Sequence, residues 1–589
     1  MCGIAGFMSN RGAPPAEAML DALEEALAHR GPDGNGRFRA GGFAMVQRRL
    51  AIIDLEGGDQ PLFEPDGAVL VANAEIYDYI EQRVALDGAS FATDSDCEVP
   101  LHLYRRDGPR FAESLRGMYA IALYDPLTEQ LFLARDPFGI KPLYYLETGE
   151  GLAFASEPQA LFAAGLGQPK INRSARDAFL QLQFTPGRET IFEGVNRVLP
   201  GETLVVAKGR IVERLRRRAL PEGGPIPCTE SDALAALDAA LEDSVSVHQR
   251  ADVPYGMFLS GGVDSAALLT MMARLNDRPV RAYTVGFPDA GSIHDEREHA
   301  RAVARALGAE HVEVEFREAD FWALLPAVAA ALDDPVADYA ALPTFKLAAA
   351  ASDLKVVLTG EGGDELFAGY GRYRSMLRPW WRGGKAFRSR GVFDKLGILR
   401  QDPIGWRDEI AAAEATEARE GRSPLQVVQA VDCADWLPHD LLTKLDRCLM
   451  AHGVEGRTPL LDPAVAAVAF RLPDSMKIHG AKGKWLLRRW LAERLPEAKP
   501  FSRKRGFTVP VAEWIAHRGK RLAPLIAAQP GVHEVCRKDA VERLFADPRG
   551  RRRGFAAWLL LFYGLWHQRH MLGVAPGGDV FETLSVKRG

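Results

Sequence analysis

The apolar positions between residues 1 and 210 fall into short runs bounded by glycine, proline and aspartate, with few helical stretches between them. Runs of this length predict β-strands, and packed sheets of such strands predict an α+β domain. The strand-length runs cover residues 42–46, 68–72, 118–124, 130–134, 142–146 and 151–155.

After residue 230 the pattern changes to apolar strands that alternate with helix-length segments. This alternation predicts an α/β domain with a doubly wound, mainly parallel sheet that carries helices on both faces. From about residue 402 onward the pattern is largely helical, and residues 555–566 predict a buried helix. The predicted strands cover residues 255–259, 281–287, 311–316 and 355–358, and the predicted helices cover 266–275, 296–307 and 321–332.

A segment rich in proline and glycine separates the two patterns at residues 219–229. This composition is typical of a linker. The sequence therefore predicts a first domain over residues 1–218, a linker over 219–229 and a second domain over 230–589. A chain of 589 residues is also too long for a single hydrophobic core, which independently favours two or more domains.

The bulk composition narrows the class of protein. Hydrophobic residues make up 47% of the chain and charged residues 26%, which is ordinary for a soluble globular enzyme. The formal net charge is -5, from 73 basic and 78 acidic residues, so nothing favours a nucleic-acid partner. Six cysteines without CxxC pairs argue against a disulfide framework and a zinc site. Because no leader peptide or membrane-length apolar stretch is present either, we expect a cytoplasmic protein.

Cys2 is the first residue with candidate chemistry. Removal of Met1 would leave a thiol and a free α-amine on the same residue. Their ordinary pKa values, about 8.5 and about 7.7 to 8.0, allow the amine to accept the thiol proton near neutral pH. The alternative is a small buried cysteine in a first strand, and Cys2 taken alone does not decide between the two.

Two glycine-rich loops follow predicted strands of the second domain. In residues 260–265, glycine turns, loop amides and a helix N-terminus favour an anion such as phosphate, although the loop lacks the lysine of a P-loop NTPase. In the acidic loop 358–367, Asp364 could share Mg²⁺ with Asp264 at the carboxyl ends of the strands. The alternatives are a plain helix cap for the first loop and an acidic helix start for the second.

Two further motifs carry charge. Lys484 lies at the start of a predicted helix, where it could neutralise phosphate charge. In the cluster 294–299, His294 and His299 lie five residues apart rather than the four of an HExxH zinc motif. We therefore interpret that cluster as a loop and a helix start.

Taken together, these motifs resemble the glutamine-dependent asparagine synthetase family over nearly the whole chain. Each motif could arise by chance, but their joint order could not. The resemblance makes Cys2 a catalytic residue rather than a core cysteine. The matching segments are residues 2–6, 29–34, 49–54, 134–145, 260–265, 358–367 and 453–462.

The resemblance implies that the first domain is a class II glutaminase with the αββα N-terminal-nucleophile fold. Cys2 would attack the glutamine amide, and Asn73 together with the backbone N–H of Ala74 would stabilise the oxyanion. Arg49 would bind the glutamine carboxylate and Asp96 its α-ammonium. The implied glutamine-binding residues are Arg49, Leu50, Ala51, Ile52, Ile53, Asn73, Ala74, Glu75 and Asp96.

For the second domain the resemblance implies the ATP pyrophosphatase fold, with ATP as a substrate and Mg²⁺ on Asp264 and Asp364. Adenylation would activate the side-chain carboxylate of aspartate, and ammonia arriving through a tunnel between the domains would displace AMP to give asparagine. Glu361 would act as acid or base, and Lys484 would stabilise the transferring phosphate. The implied ATP-binding residues are Leu259, Ser260, Gly261, Gly262, Val263, Asp264, Ser265, Val285, Thr359 and Gly360.

The chain departs from the family at Ala74, where glycine is usual. If this position needs a positive φ, the methyl group costs on the order of 1 kcal/mol, and it could also crowd the thioester. We therefore predict a working glutaminase that the methyl slows, and we expect Ala74→Gly to restore its rate. Gln47 and Ala266 stand where many relatives have His and Ser, and neither change removes a group from the implied mechanism.

Two other functions stay open. The same chemistry could act on a different carboxylate, on a peptide, a sugar or a secondary metabolite, and the acceptor pocket decides this; Asp334, Asp338 and Arg457 are candidate pocket residues. A non-catalytic regulatory or scaffold protein is the third possibility, although retention of the catalytic set argues against it. The expected partners are small-molecule substrates and a second copy of the chain in a homodimer, with no nucleic acid and no membrane.

Overall fold

The computed structural model describes residues 2–64, 67–288, 296–502 and 509–586. Its first part contains two six-stranded antiparallel sheets, in the strand orders β10-β8-β9-β1-β3-β2 and β12-β11-β7-β6-β5-β4. The strands are β1 Gly3–Ser9, β2 Gly34–Ala40, β3 Phe43–Arg49, β4 Leu62–Phe63, β5 Val69–Ile76, β6 Gly117–Asp125, β7 Gln130–Arg135, β8 Tyr144–Glu147, β9 Gly151–Ala155, β10 Val195–Arg197, β11 Glu202–Ala207 and β12 Arg210–Arg216.

The two sheets stack face to face and carry helices on their outer faces. Ile4 and Met45 of the first sheet pack against Val71 and Leu133 of the second in one buried cluster. Leu20 lies among the helical side chains that cover the outer face of the first sheet, and α3 covers the second. The helices of this part are α1 Glu17–Ala26, α2 Tyr79–Ala85, α3 Val99–Asp107, α4 Pro158–Ala163 and α5 Arg173–Leu182.

This αββα arrangement confirms the fold class predicted for the first domain. The apolar runs at 42–46, 68–72, 118–124, 130–134, 142–146 and 151–155 all contribute to strands, as β3 and β5 to β9. The runs are apolar because these strands are covered on both faces, as the fully buried β5 shows.

The second part is built on a five-stranded parallel sheet in the order β15-β14-β13-β16-β17, with a small hairpin β18-β19. Strands β13, β14, β15 and β16 lie where the sequence predicts them, which confirms the doubly wound sheet. The strands are β13 Tyr255–Phe258, β14 Arg281–Gly286, β15 Glu310–Glu315, β16 Val356–Leu358, β17 Glu455–Arg457, β18 Ile478–His479 and β19 Lys482–Gly483.

Helices cover both faces of this sheet. Met257 and Val356 pack with α6, α7 and α8 on one face, whereas Tyr283 and Val357 pack with α9 and α10 on the other. The helices are α6 Glu230–His248, α7 Val263–Leu275, α8 Arg297–Ala306, α9 Glu318–Ala331, α10 Ala341–Ala350, α11 Gly363–Leu366, α12 Gly371–Met376, α13 Asp408–Glu417, α14 Pro424–Val431, α15 Leu442–Met450, α16 Pro463–Arg471, α17 Asp474–Lys477, α18 Trp485–Arg494, α19 Val511–Ala527, α20 Pro530–Val535, α21 Lys538–Ala546, α22 Arg551–His570 and α23 Val580–Ser585.

Strand β17 corrects the expectation that the chain is helical from about residue 402. The strand has only three residues, Glu455, Gly456 and Arg457, so it has no apolar run to reveal it. Its two charged side chains are fully buried because they pair with each other and with the first domain. A π-helical segment, Asp432–Leu441, joins α14 to α15 without interruption.

The predicted buried helix at 555–566 forms the middle of α22, whose aromatic side chains pack against the first domain. The ring centroids of Trp566 and Phe192 lie 5.5 Å apart, and those of Tyr563 and Phe179 lie 5.9 Å apart. Within the described residues, no helix combines the length and the apolar composition that a membrane span requires. Between Arg216, where β12 ends, and Glu230, where α6 begins, the chain has no regular secondary structure.

Buried arginines also join the two parts. Arg30 donates to Asp446 at 2.8 and 3.0 Å, and Arg197 donates to Asp334 at 2.6 to 2.9 Å. Arg30 is 0% exposed and Asp334 is 1% exposed, so these pairs lie in the interior of the molecule. Removal of one partner from such a pair leaves a buried charge unpaired and typically costs about 3 to 5 kcal/mol.

Candidate functional site

Cys2 lies at the start of β1, in the middle of the first sheet. Its backbone N–H donates to Asn73 Oδ1 at 3.0 Å, and its carbonyl oxygen accepts from Arg30 Nε at 3.2 Å. Burial raises the pKa of the Cys2 thiol, so the thiol needs a base to become a nucleophile. After removal of Met1 the same nitrogen would be the α-amine, and Asn73 would hold that amine beside the thiol.

Asn73 has a second polar atom that points to a ligand. Its side chain is 0% exposed, and because Oδ1 accepts from Cys2, Nδ2 is left as a buried donor without a hydrogen-bond partner among the described residues. Buried donors in proteins are nearly always satisfied, so an orphan beside a nucleophile favours a ligand acceptor. An oxyanion formed on a substrate of Cys2 would supply that acceptor.

A pocket around Cys2 contains most of the predicted glutamine-binding residues. Ala51 and Asn73 do not line it; the N–H of Ala51 donates instead to Asp33 at 2.9 Å, and Asn73 contacts Cys2. Four lining residues were not predicted, because no motif distinguishes them: Gly58, Gln60, Ser95 and Cys97. The predicted residues on the lining are Cys2, Arg49, Leu50, Ile52, Ile53, Ala74, Glu75 and Asp96.

Arg49 is held in place by the loop that follows it. Its guanidinium donates to the carbonyl oxygens of Asp54 at 2.6 Å and Leu55 at 3.2 Å, and to Asp59 Oδ1 at 2.9 Å. Gly58 permits this contact, because a Cβ at that position would lie 2.6 Å from Arg49 Nη2. Asp59 is a largely exposed partner that a substrate carboxylate could replace.

Two buried carboxyl groups face the same pocket. Burial raises the pKa of Asp96 to about 6, although the N–H of Ile76 donates to it at 2.7 Å. Burial, together with Glu455, also raises the pKa of Glu75 well above its ordinary value. An arriving α-ammonium would stabilise the ionised form of either group, which agrees with the predicted role of Asp96.

Ala74 lies inside the regular strand β5, where it pairs with Tyr119 of β6. It is not among the residues with positive φ, so its backbone has a conformation that any L-residue adopts. The condition for a backbone strain at Ala74 is therefore not met. The other predicted cause of slowing, crowding of a thioester on Cys2, stays a prediction; Ala74 lines the pocket beside Cys2.

A second pocket lies at the carboxyl ends of β13, β14 and β16, where open parallel sheets bind their ligands. It has a volume of about 380 Å³ and adjoins another of about 430 Å³ on the far side of the loop 260–265. Every residue predicted to bind ATP or Mg²⁺ or to act in catalysis in the second domain lines one of these two cavities: Leu259, Ser260, Gly261, Gly262, Val263, Asp264, Ser265, Val285, Thr359, Gly360, Glu361, Asp364 and Lys484.

The loop 260–265 already holds an anionic group. The N–H of Gly261 donates to a carboxylate oxygen of Glu296 at 3.0 Å, and the N–H of Gly262 donates to Ser260 Oγ at 3.1 Å. These amides lie at the N-terminus of the 13-residue helix α7, whose dipole favours negative charge. Glu296 belongs to the predicted loop and helix start; His294 and Asp295 lie outside the described residues.

Lys484 lies between the two carboxylates that were predicted to bind Mg²⁺. Its ammonium contacts Asp264 Oδ2 and lies 3.0 Å from Asp364 Oδ1. Burial opposes the charge on Lys484, but the two carboxylates outweigh it and raise its pKa to about 12. The backbone of Lys484 has a left-handed conformation (φ 57°). Gly369 leaves room for the carboxylate of Asp364, because a Cβ on residue 369 would lie 1.9 Å from Asp364 Oδ1.

These residues fit a hard divalent cation. Asp264 and Asp364 meet at one ammonium, and in the part of the chain that the structure describes Asp264 Oδ1 is buried without a hydrogen-bond partner. Mg²⁺ is typically bound by one or two carboxylates together with the phosphate oxygens of its substrate. The pair therefore has the right donors for Mg²⁺ carried in by a nucleotide.

Lys444 is a buried cation in the same pocket that no sequence motif indicated. Its Nζ lies 2.9 Å from Asp338 Oδ2 and 3.7 Å from Glu361 Oε1. Burial raises the pKa of Glu361, against the opposing effect of Lys444. A carboxyl group with a raised pKa is suited to exchange protons with a substrate.

Of the three candidate acceptor residues, only Asp338 lines this pocket. Asp334 is bound to Arg197 and accepts from Tyr144 Oη at 3.0 Å, which places it between the domains. Arg457 donates to Glu75 at 2.8 Å and to Glu455 at 2.6 Å, again between the domains. Asp334 and Arg457 therefore do not line the acceptor pocket, because Arg197 binds Asp334 and two carboxylates, Glu75 and Glu455, bind Arg457.

Comparison with known proteins shows a family that fits both sites. Residues 236–568 match the family model described as asparagine synthase, and residues 1–216 match the glutamine amidotransferase domain. The chain therefore belongs to the glutamine-hydrolysing asparagine synthetase family, whose members are ligases.

Several relatives match nearly the whole chain. A putative glutamine-hydrolyzing asparagine synthetase of Mycobacterium tuberculosis is 35% identical, with 96% of this chain and 97% of the relative covered. The glutamine-hydrolyzing asparagine synthetase 1 of Bacillus subtilis is 32% identical, with 96% of both covered. Amidase chry2 of Gibberella zeae is 30% identical, with 85% of this chain and 87% of the relative covered.

The raised pKa of Asp96 predicts how glutamine binding depends on pH. Only the ionised carboxylate can hold the α-ammonium, so affinity should be full above pH about 6 and should fall as the pH drops through that value. The measurement is calorimetric titration of glutamine into the Cys2→Ala protein, which cannot consume it. Adding Asp96→Asn should weaken binding and abolish the pH step; a step that survives in the double variant would contradict the assignment.

Proposed function

We propose that this protein synthesises L-asparagine from L-aspartate through a β-aspartyl-AMP intermediate, with ammonia taken from L-glutamine. One observation carries the proposal: the phosphate loop, Lys484, Glu361 and the pair Asp338–Lys444 line cavities that meet at the carboxyl edge of one sheet. A nucleotide and an amino acid would meet there. The matches to a synthase model and to relatives with both domains agree with this.

Glutamine hydrolysis would begin when the α-amine of Cys2 takes the thiol proton. The thiolate would attack the side-chain amide carbon, and Asn73 Nδ2 and the N–H of Ala74 would stabilise the oxyanion. The amide nitrogen would leave as ammonia with the proton returned by the amine. Water would then cleave the thioester to release glutamate and the free thiol.

Adenylation would follow in the second pocket. The β-carboxylate of aspartate would attack the α-phosphorus of ATP and expel pyrophosphate, whose charge the amides of residues 261–263 and Lys484 would stabilise. Mg²⁺ held by Asp264 and Asp364 would neutralise part of the same phosphate charge. Ammonia would then attack the acyl carbon, Glu361 would take the excess proton, and AMP would leave.

The charge pair Asp338–Lys444 supports an amino acid as the acceptor. Its carboxylate and ammonium, 2.9 Å apart, are complementary to the α-ammonium and α-carboxylate of aspartate. Both groups lie beside Glu361, on the side of the pocket where the acyl carbon would be placed.

A larger carboxylate remains a second candidate because of the aromatic side of the pocket. Tyr339, Tyr370 and Trp436 line it, which is more apolar surface than the four carbons of aspartate need. Relatives named amidases, such as chry2, share the same architecture. The acceptor must therefore be measured rather than taken from the family name.

The direct test is to incubate the protein with ATP, Mg²⁺ and glutamine and a panel of carboxylates, with pyrophosphate and the amidated product measured by mass spectrometry. Pyrophosphate and asparagine with aspartate, and with no other acid at comparable kcat/KM, would support the proposal. Pyrophosphate only with another acid would assign the alternative acceptor, and none with any acid would overturn both.

Lys444→Met should specifically weaken the use of aspartate. Loss of a charged hydrogen bond costs about 1.5 to 3 kcal/mol, so we expect the KM for aspartate to rise roughly 10- to 150-fold while the KM for ATP stays within about twofold. Steady-state kinetics check this. Lys346→Met, which removes a lysine paired with Asp320 away from the pocket, is the matched control. Unchanged aspartate kinetics in Lys444→Met would contradict the acceptor assignment.

A further inference from the structure

We propose that Arg457 is a positioning residue that couples the glutamine site to the nucleotide site, so that ligands in the second domain set the rate of glutamine hydrolysis in the first. The proposal rests on the proposed function for the identity of the two half-reactions. Arg457 lines neither substrate pocket, but its hydrogen-bond partners Glu75 and Thr359 each line one of them.

The guanidinium of Arg457 is fixed on every side. It is 0% exposed, and it donates to Glu455 Oε1 at 2.6 Å and to the carbonyl oxygens of His248 at 2.9 Å and Arg250 at 2.7 Å. Its remaining bond crosses to the first domain, where Nη2 donates to Glu75 Oε2 at 2.8 Å. A buried group with this many charged and polar partners has one orientation, because any other leaves those partners unsatisfied.

On the glutamine side, Glu75 connects this guanidinium to the catalytic strand. Glu75 lines the pocket of Cys2 and follows Asn73 and Ala74 in β5. These two residues supply the proposed oxyanion donors. A displacement of Glu75 would therefore move the donors that stabilise the transition state of glutamine hydrolysis.

On the nucleotide side, the main chain of Arg457 holds the loop that ends β16. The carbonyl oxygen of Arg457 accepts from the N–H of Thr359 at 2.8 Å, and Arg457 pairs with Leu358 in the parallel sheet. Thr359, Gly360 and Glu361 line the nucleotide pocket. The path from that loop to the oxyanion strand therefore runs through two residues, Arg457 and Glu75.

The charges of this contact make it sensitive to ligands. Glu75 and Glu455 share the guanidinium of Arg457, and burial opposes the charge of both carboxylates. The positive groups around Glu455, Arg457 among them, lower the pKa of Glu455 to about 2. The pKa of Glu75, in contrast, is raised. Glu75 is thus the less firmly ionised partner, and it is the one that faces the glutamine pocket. An α-ammonium arriving there and Arg457 would act on the same carboxylate.

The test compares Arg457→Lys with the parent protein by measuring glutamate release with and without ATP, Mg²⁺ and aspartate. Lysine keeps the charge but cannot reach all four acceptors. In the parent, the second-domain ligands should stimulate glutamate release about fivefold or more, the lower end of typical coupling energies. In Arg457→Lys the stimulation should fall to within about twofold of none, measured against that variant's own basal rate at a temperature where the variant is folded.

Arg116→Lys is the matched control, because Arg116 also crosses between the domains, to Asp462 at 2.9 Å, but contacts no residue of either pocket loop. It should keep the stimulation. The proposal is overturned if Arg457→Lys responds to the ligands as the parent does, if the parent does not respond, or if folded Arg457→Lys loses both half-reactions together. Glutamate release is also measured with ATP and Mg²⁺ but without aspartate. This measurement tests the coupling even if aspartate is not the acceptor.

Discussion

The structure depends on one buried guanidinium, that of Arg30. It donates to the carbonyl oxygen of Cys2, to Glu157 at 2.7 Å and to Asp446 of the second domain. Asp446 lies in α15, the same helix that carries Lys444 into the acceptor pocket two residues earlier. The nucleophile of one site and the cation of the other are thus fixed to a single rigid element. Because breaking such a pair would leave an unpaired charge in the interior, separation of the two domains carries a large free-energy cost.

Polar groups are treated differently at the interface and at the two sites. Between the domains, Arg197, Arg447 and Arg457 each have a carboxylate within 2.9 Å. At the sites, Asn73 Nδ2 and Asp264 Oδ1 are buried, and no described residue forms a hydrogen bond with either atom. Buried polar groups are costly unless something satisfies them, so these atoms indicate where substrate oxygens and a cation would bind. The ammonium of Lys484 pairs with the carboxylates of Asp264 and Asp364 in this structure.

Local patterns in the sequence were sufficient to predict much of the fold and the position of the phosphate loop. The apolar runs gave β5, β6 and β13, and the glycine-rich loop after β13 was correctly placed at a helix N-terminus because strand, turn and helix are contiguous in the chain. The fold classes, the family and the ligase class are confirmed. The individual roles of Cys2 and Glu361 stay predictions, although the geometry agrees with them.

What the sequence could not show depends on partners that are distant in the chain. Lys444 lies beside Asp338 and Glu361, which are distant from it in the chain, and Arg457 binds Glu75 across 382 positions. Strand β17 has no apolar signal, since its side chains are stabilised by ion pairs. The backbone strain considered at Ala74 depended on a positive φ, and residue 74 lies in a regular strand without one.

The two sites lie on either side of one interface, and we propose that the nitrogen atom released from glutamine at the first site is the one that enters the product at the second. The most direct measurement supplies amide-¹⁵N glutamine together with unlabelled ammonium, at a concentration above the ammonia that hydrolysis releases but below the KM for ammonia-dependent turnover. If ammonia passes directly between the sites, nearly every molecule of the amide product should carry ¹⁵N. Dilution of the label to the isotope ratio of the solution would show that ammonia escapes between the sites, and would contradict it.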